Sequence, residues 1–158
     1  PIQGIDRILG MDVSWFDVEK AIRRLRLEEA APALRERVQV IHSSLMYRDD
    51  RLSGYDLAAV VEVIEHLDPP RLEAFEKVVF HHARPDTVIV TTPNKEYNAI
   101  YDLDEMRHKD HRFEWTRAEF EEWGKAVAER HGYKVAFEGI GESNEAHGSP
   151  SQMGVFTR

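Results

Sequence analysis

DLAAVVEV, residues 56–63, is an almost unbroken apolar run, as expected of a strand that a parallel sheet buries on both faces. It is the best candidate for the centre of the core. Downstream, Pro69 and Pro70 suit a helix start, and Leu72, Phe75, Val78 and Val79 keep helical spacing until Arg84-Pro85 breaks the pattern. TVIVTT at 87–92 then reads as a second buried strand, stopped by Pro93. Upstream, RILGMDV at 7–13 and residues 38–42 read as strands. Between them an amphipathic helix runs from Trp15 to about residue 30, with Ser14 as N-cap and Asp17 three residues on.

Residues 94–115 have no sustained period and are dense in His, Asp, Tyr and Arg, so they read as a working loop rather than a passive connection. Thr116 and Glu119 make a capping box ahead of Phe120, Trp123 and Val127, and His131-Gly132 closes that helix. Residues 133–140 and 153–157 supply two further strands. Strands alternating with helices imply an α/β fold, a mostly parallel sheet with helices on both faces, in a single domain over 1–158. In such sheets ligands gather at the carboxyl ends of the strands.

The 158 residues suffice for one such domain. Zero cysteines exclude disulfides, thiolate metal sites and a cysteine nucleophile, so any metal must be held by His, Asp or Glu. A net charge of −8 argues against unspecific wrapping of a nucleic-acid backbone but not against a grip on one nucleotide. No apolar run approaches the ~18 residues of a membrane span, and the first residues lack a secretory pattern. The expectation is a soluble, cytoplasmic protein.

Three polar clusters fall at strand ends: Asp12 with Ser14, Glu62 with Glu65 and His66, and Thr92 with Pro93 and Asn94. A helical turn over EVIEH would bring Glu62, Glu65 and His66 to one side. Oxygen and nitrogen donors without sulfur suit Mg²⁺ or Mn²⁺ better than structural zinc. A further ligand is needed, and RHKDHR at 107–112 offers His111. Equally, the acids can be a helix start that favours the dipole, and His108 and His111 part of a solvated charge run. Asp12 is either a partner for a ribose hydroxyl or a turn-maker.

The strings EVIEHL (62–67), VTTPNKEYN (90–98), RHKDHRFEWTRAEF (107–120) and SPSQMGVF (149–156) resemble the 3′-terminal RNA ribose 2′-O-methyltransferases. These enzymes methylate small RNAs in eukaryotes and repaired RNA ends in bacteria. EVIEHL and TTPN are generic to class I methyltransferases; DHRFEWT is far more specific. The resemblance implies a class I, Rossmann-like fold that uses S-adenosylmethionine. It also implies one divalent cation, Mn²⁺ or Mg²⁺, on Glu62, Glu65, His66 and His111, which are the catalytic residues. Asp12, with Val13 and Ser14, would hold the cofactor's ribose, and Ser44, Leu45 and Val61 would line the rest of its site. The RNA, ending in free 2′ and 3′ hydroxyls, would meet Thr92, Pro93, Asn94, Arg107, His108 and Arg117. Tyr97 and Tyr101 read as half-buried loop aromatics, with base stacking as the alternative. His66 is also a candidate proton acceptor.

One departure stands out. The family opens with a strand, a Gly-rich turn and a helix, and nothing before Arg7 supplies them. That strand lies centrally, between the strand of residues 7–13 and the strand of residues 56–63, so its absence leaves two edges unpaired. The expectation is a catalytic domain from a longer protein. Its partners would be that protein's N-terminal region and, in a bacterium, an RNA end-healing or ligation enzyme. Two other readings stay open: a metal-independent class I O-methyltransferase acting on a small molecule, and an inactive RNA-end-binding fragment.

Overall fold

The computed structural model describes residues 4–103 and 105–158; the first three residues of the expected domain, and Asp104 of the expected working loop, lie outside the described residues. Strand β1 (Ile8–Asp12) runs parallel to β2 (Val38–His42). The crossover between them holds α1 (Trp15–Arg24) and α2 (Pro32–Arg37). Ser14 caps α1 as expected, its hydroxyl accepting from the Asp17 N–H at 3.2 Å. The helix stops short of residue 30 because Arg26 takes a left-handed φ of 50°, which breaks the hydrogen-bond ladder. Pro32 opens α2 at a position where its missing N–H costs nothing.

The other four strands form a separate sheet in the order β3-β4-β6-β5. Here β3 (Leu57–Val61) and β4 (Thr87–Pro93) are parallel, while β6 (Ser151–Thr157) is antiparallel to both β4 and β5 (Lys134–Ile140). Between β3 and β4 the chain makes a short 3-10 turn at Ile64–His66. Helix α3 (Leu72–Glu76) follows and continues as π-helical turns over Lys77–Ala83. Helix α4 (Arg117–His131) has the expected capping box, with Glu119 Oε2 accepting from the Thr116 N–H at 2.8 Å, and it ends at Gly132 with φ 75°.

One face of the four-stranded sheet carries Val60, Val88, Val90 and Phe156, all buried against Phe75, Phe80, Phe120 and Val127 of the helices. Phe80 and Phe156 meet edge to face at 4.9 Å. The Glu76 carboxylate joins the two helices by accepting from Trp123 Nε1 at 3.1 Å and from Arg130 at 2.7 Å. On the opposite face Leu57 and Val61 are 52% and 60% exposed. The expectation that this strand is covered on both faces is therefore corrected: β3 is an edge strand whose residues alternate between covered and open. Its free edge and that of β1 are the two expected to be unpaired, and no strand among the described residues bridges them. Arg7 links the approaches to both, donating to the Gly54 carbonyl at 3.0 Å.

Candidate metal centre

Beyond β3 the chain turns sharply at Glu62, whose φ of 52° is unusual for a residue with a side chain. Threonine 91 on β4 over-determines that turn. The Glu62 N–H donates to Thr91 O at 3.2 Å, and the Thr91 hydroxyl donates to Glu62 Oε1 at 2.9 Å. The turn sends Ile64 into the core and carries Glu65 in beside it, both fully buried. Glu65 Oε2 accepts from the Thr92 hydroxyl at 3.0 Å, whereas its Oε1 is buried with no hydrogen-bond partner among the described residues. Burial, reinforced by the charge of Glu62, pushes the Glu65 carboxyl up to about 7.

The loop after the 3-10 helix Lys95–Tyr101 closes onto this turn, held by the Arg112 N–H donating to the Glu65 carbonyl at 2.7 Å. It brings His111 against His66, ring centroids 4.8 Å apart. Glu65, His66 and His111 each offer one ligand atom within 4.8 Å of the others. His66 is exposed, and the other two are buried. The Nδ1 of His66 faces the Asp110 carbonyl at 3.2 Å, and the Nδ1 of His111 faces Glu114 Oε1 at 2.6 Å. A carbonyl can only accept, so Nδ1 of His66 is the donor in this contact, which leaves Nε2 as the ring nitrogen available to a ligand.

These residues suit a divalent cation. One orphaned carboxylate oxygen and two imidazoles make an O,N,N set appropriate to a hard or borderline ion, and both rings have outer hydrogen bonds of the kind that orient metal ligands. Glu62 stands outside the trio, with its carboxylate engaged by Thr91, although its charge reaches Glu65.

Of the residues expected around the cofactor, Asp12 and Val13 are exposed at the end of β1, where Asp12 Oδ1 accepts from the Ser14 N–H at 2.7 Å. Ser44 and Leu45 lie at the end of neighbouring β2, and Ser43 N–H donates to the Asp12 carbonyl at 3.1 Å, so these residues share one rim. Val61 is exposed beside Glu62.

The residues expected at RNA divide differently. His108 is exposed, its ring 5.6 Å from that of His111 and 6.2 Å from that of His66. Thr92, Pro93 and Asn94 are buried. Asn94 Nδ2 donates to the carbonyls of His147 and Ser149. Arg107 turns inward, donating to Asn98 Oδ1 at 2.5 Å and to the Pro150 carbonyl at 2.7 Å. Arg117 pairs with Glu96 through Nε at 2.8 Å. Tyr97 is buried and Tyr101 exposed.

Sequence reasoning missed Glu114 and Asn98. Glu114 is buried and accepts from Asn98 Nδ2 at 2.6 Å and the Arg107 N–H at 2.7 Å. Burial opposes its charge, but these bonds and that of His111 outweigh it and hold its carboxyl below the ordinary value. The available signal was the position of Glu114 within DHRFEWT, three residues after His111.

No family model matches the chain. It is 42% identical over 124 residues to the small RNA 2′-O-methyltransferase of Mus musculus, covering 77% of this chain and 31% of that protein. The chain thus spans about a third of this curated relative. The crystal structure of the methyltransferase domain of bacterial CtHen1-CN is similar with 54% identity and a TM-score of 0.86, over 97% of this chain and 78% of that one. A chain of the Pnkp1/Rnl/Hen1 RNA repair complex is similar with 25% identity and a TM-score of 0.65, over 96% of this chain and 32% of that one.

Proposed function

The chain belongs to the small RNA 2′-O-methyltransferase family, and from that premise we propose that it carries the catalytic centre of a metal-dependent RNA-end methyltransferase. The methyl donor is S-adenosylmethionine, and the acceptor is the 2′-hydroxyl of the 3′-terminal nucleotide. The observation that carries the metal dependence is the convergence of Glu65, His66 and His111 around a buried carboxylate oxygen that has no partner.

Glu65 Oε1 and the Nε2 atoms of His66 and His111 would hold Mn²⁺ or Mg²⁺, with the charge of Glu62 reaching Glu65. A divalent cation held there would supply Lewis acidity and a template for a vicinal diol. Asp12, with Val13 and Ser14, would hold the cofactor's ribose, and Ser44, Leu45 and Val61 would line the rest of its site. S-adenosylmethionine bound there would supply an electrophilic methyl group to the 2′ oxygen, its sulfonium sulfur accepting the electron pair of the broken C–S bond. The hydroxyl proton leaves to solvent on the exposed side of the cluster. His66 has Nδ1 committed to Asp110, so its Nε2 serves as ligand rather than base. His108 faces the RNA, while Arg107, Arg117 and the segment Thr92 to Asn94 shape the wall behind it.

The full-length protein decides the matter with RNA bearing free 2′ and 3′ hydroxyls. EDTA should abolish methylation and Mn²⁺ restore it, His111→Ala should be inactive, and a 3′-phosphate or 2′-O-methyl end should not react. Activity indifferent to EDTA would leave a metal-independent methyltransferase. RNA binding without S-adenosylhomocysteine binding would leave a binding module. The proposed partners are an N-terminal region of the same protein and, in a bacterium, end-healing and ligation enzymes, in keeping with the repair complex named above. A cytoplasmic setting follows from this substrate; the chain itself shows only that no helix among the described residues is long and apolar enough to cross a membrane.

A further inference from the structure

Glu114 bonds to His111 in the cluster and accepts from two further donors. Its Oε1 accepts from the Arg107 N–H at 2.7 Å and its Oε2 from Asn98 Nδ2 at 2.6 Å. Neither partner can exchange its role. The first is a backbone amide, and the Asn98 amide is oriented because its oxygen already accepts from Arg107 Nε at 2.5 Å. The Arg107 guanidinium is anchored in turn on the carbonyls of Asn94 and Pro150. The carboxylate is therefore presented to His111 Nδ1 as an acceptor, 2.6 Å away, by a frame drawn from three separate parts of the chain.

We infer that Glu114 is a positioning residue for His111, with Asn98 and Arg107 as its frame. It holds the imidazole as the Nδ1–H tautomer, leaving the Nε2 lone pair for a divalent cation shared with Glu65 and His66. This rests on the reading of the trio as a metal centre, but the tautomer of His111 is a property of the chain alone. Glutamine cannot replace Glu114 without conflict. With its oxygen kept toward Arg107 N–H and His111, its amide nitrogen would face the donating Asn98 amide; flipped to accept from Asn98, it would present an N–H donor to His111 Nδ1, which must then accept. Losing such an outer partner typically weakens metal binding about 10–100-fold.

The test uses ¹⁵N-imidazole NMR of the metal-free full-length protein, with the His111 signals assigned through His111→Ala, and Mn²⁺ titration followed by EPR. The expected result is an Nδ1–H tautomer in the parent and its loss in Glu114→Gln, with Mn²⁺ affinity about 10–100-fold weaker. An Nε2–H tautomer in the parent overturns the inference without any variant. So does a Glu114→Gln protein whose tautomer is unchanged and whose affinity stays within about twofold. If His111→Ala binds Mn²⁺ as tightly as the parent, the metal-centre reading fails instead, and the tautomer still decides what Glu114 does.

Discussion

The Thr92 hydroxyl donates to Glu65 Oε2 at 3.0 Å, between two side chains fully shielded from solvent. Thr92 sits near the end of β4, so the strand itself aims the carboxylate. Thr92→Val keeps the shape and removes the donor, leaving a buried acceptor without its partner. The metal-free variant should lose about 1–3 kcal/mol by denaturant unfolding, with Thr92→Ser close to the parent. A Val variant as stable as the parent would show that this bond does not hold Glu65.

Anything that binds the folded state alone stabilises it by mass action. Mn²⁺ at about 100 times its dissociation constant should add about 2.7 kcal/mol and raise the melting temperature by several degrees. His111→Ala should show no such shift. An equal rise in that variant would place the ion elsewhere.

Glu76 is 5% exposed and joins α3 to α4 through Trp123 and Arg130. Glu76→Ala should cost about 2–3 kcal/mol, because hydrogen bonds to a charged buried group are lost together. Arg130→Ala should cost under about 1 kcal/mol, since that side chain is half exposed. Equal losses in a denaturant series would refute this asymmetry.

Gly124 lies on the inner face of α4, where an added Cβ would sit 2.7 Å from Phe137 Cζ. The Phe137 ring is itself packed edge to face on Phe120 at 5.7 Å. Gly124→Ala gains about 1 kcal/mol of helix propensity but loses about 1–3 kcal/mol to overpacking. The net expectation is no change to a modest loss, read from the melting temperature. A variant more stable by the full propensity gain would mean that Phe137 moves aside freely.

Much of the site was legible as a list of residues and little of it as an arrangement. EVIEH and DHR contain the three clustered side chains, while Glu62, the first acid of the pentad, is not grouped with them. Its φ is positive and its carboxylate accepts from the Thr91 hydroxyl. Arg107 is expected to meet the RNA, but its guanidinium donates to the protein's own carbonyls. A run of charges states how many cations a loop has and not which side each one takes.

Local signals settled the elements. Ser14 and Asp17, Thr116 and Glu119, Gly132, and the β-rich runs at 38–42 and 87–92 act within a few residues of themselves, through caps, turns and side-chain periodicity, so the chain order alone reveals them. Which groups meet was decided only by the tertiary structure: His111 beside Glu65, Glu114 behind His111, and an open outer face on β3. Such contacts join residues far apart in the chain, and their energies depend on burial and on which partners are already taken, neither of which is written in the local pattern.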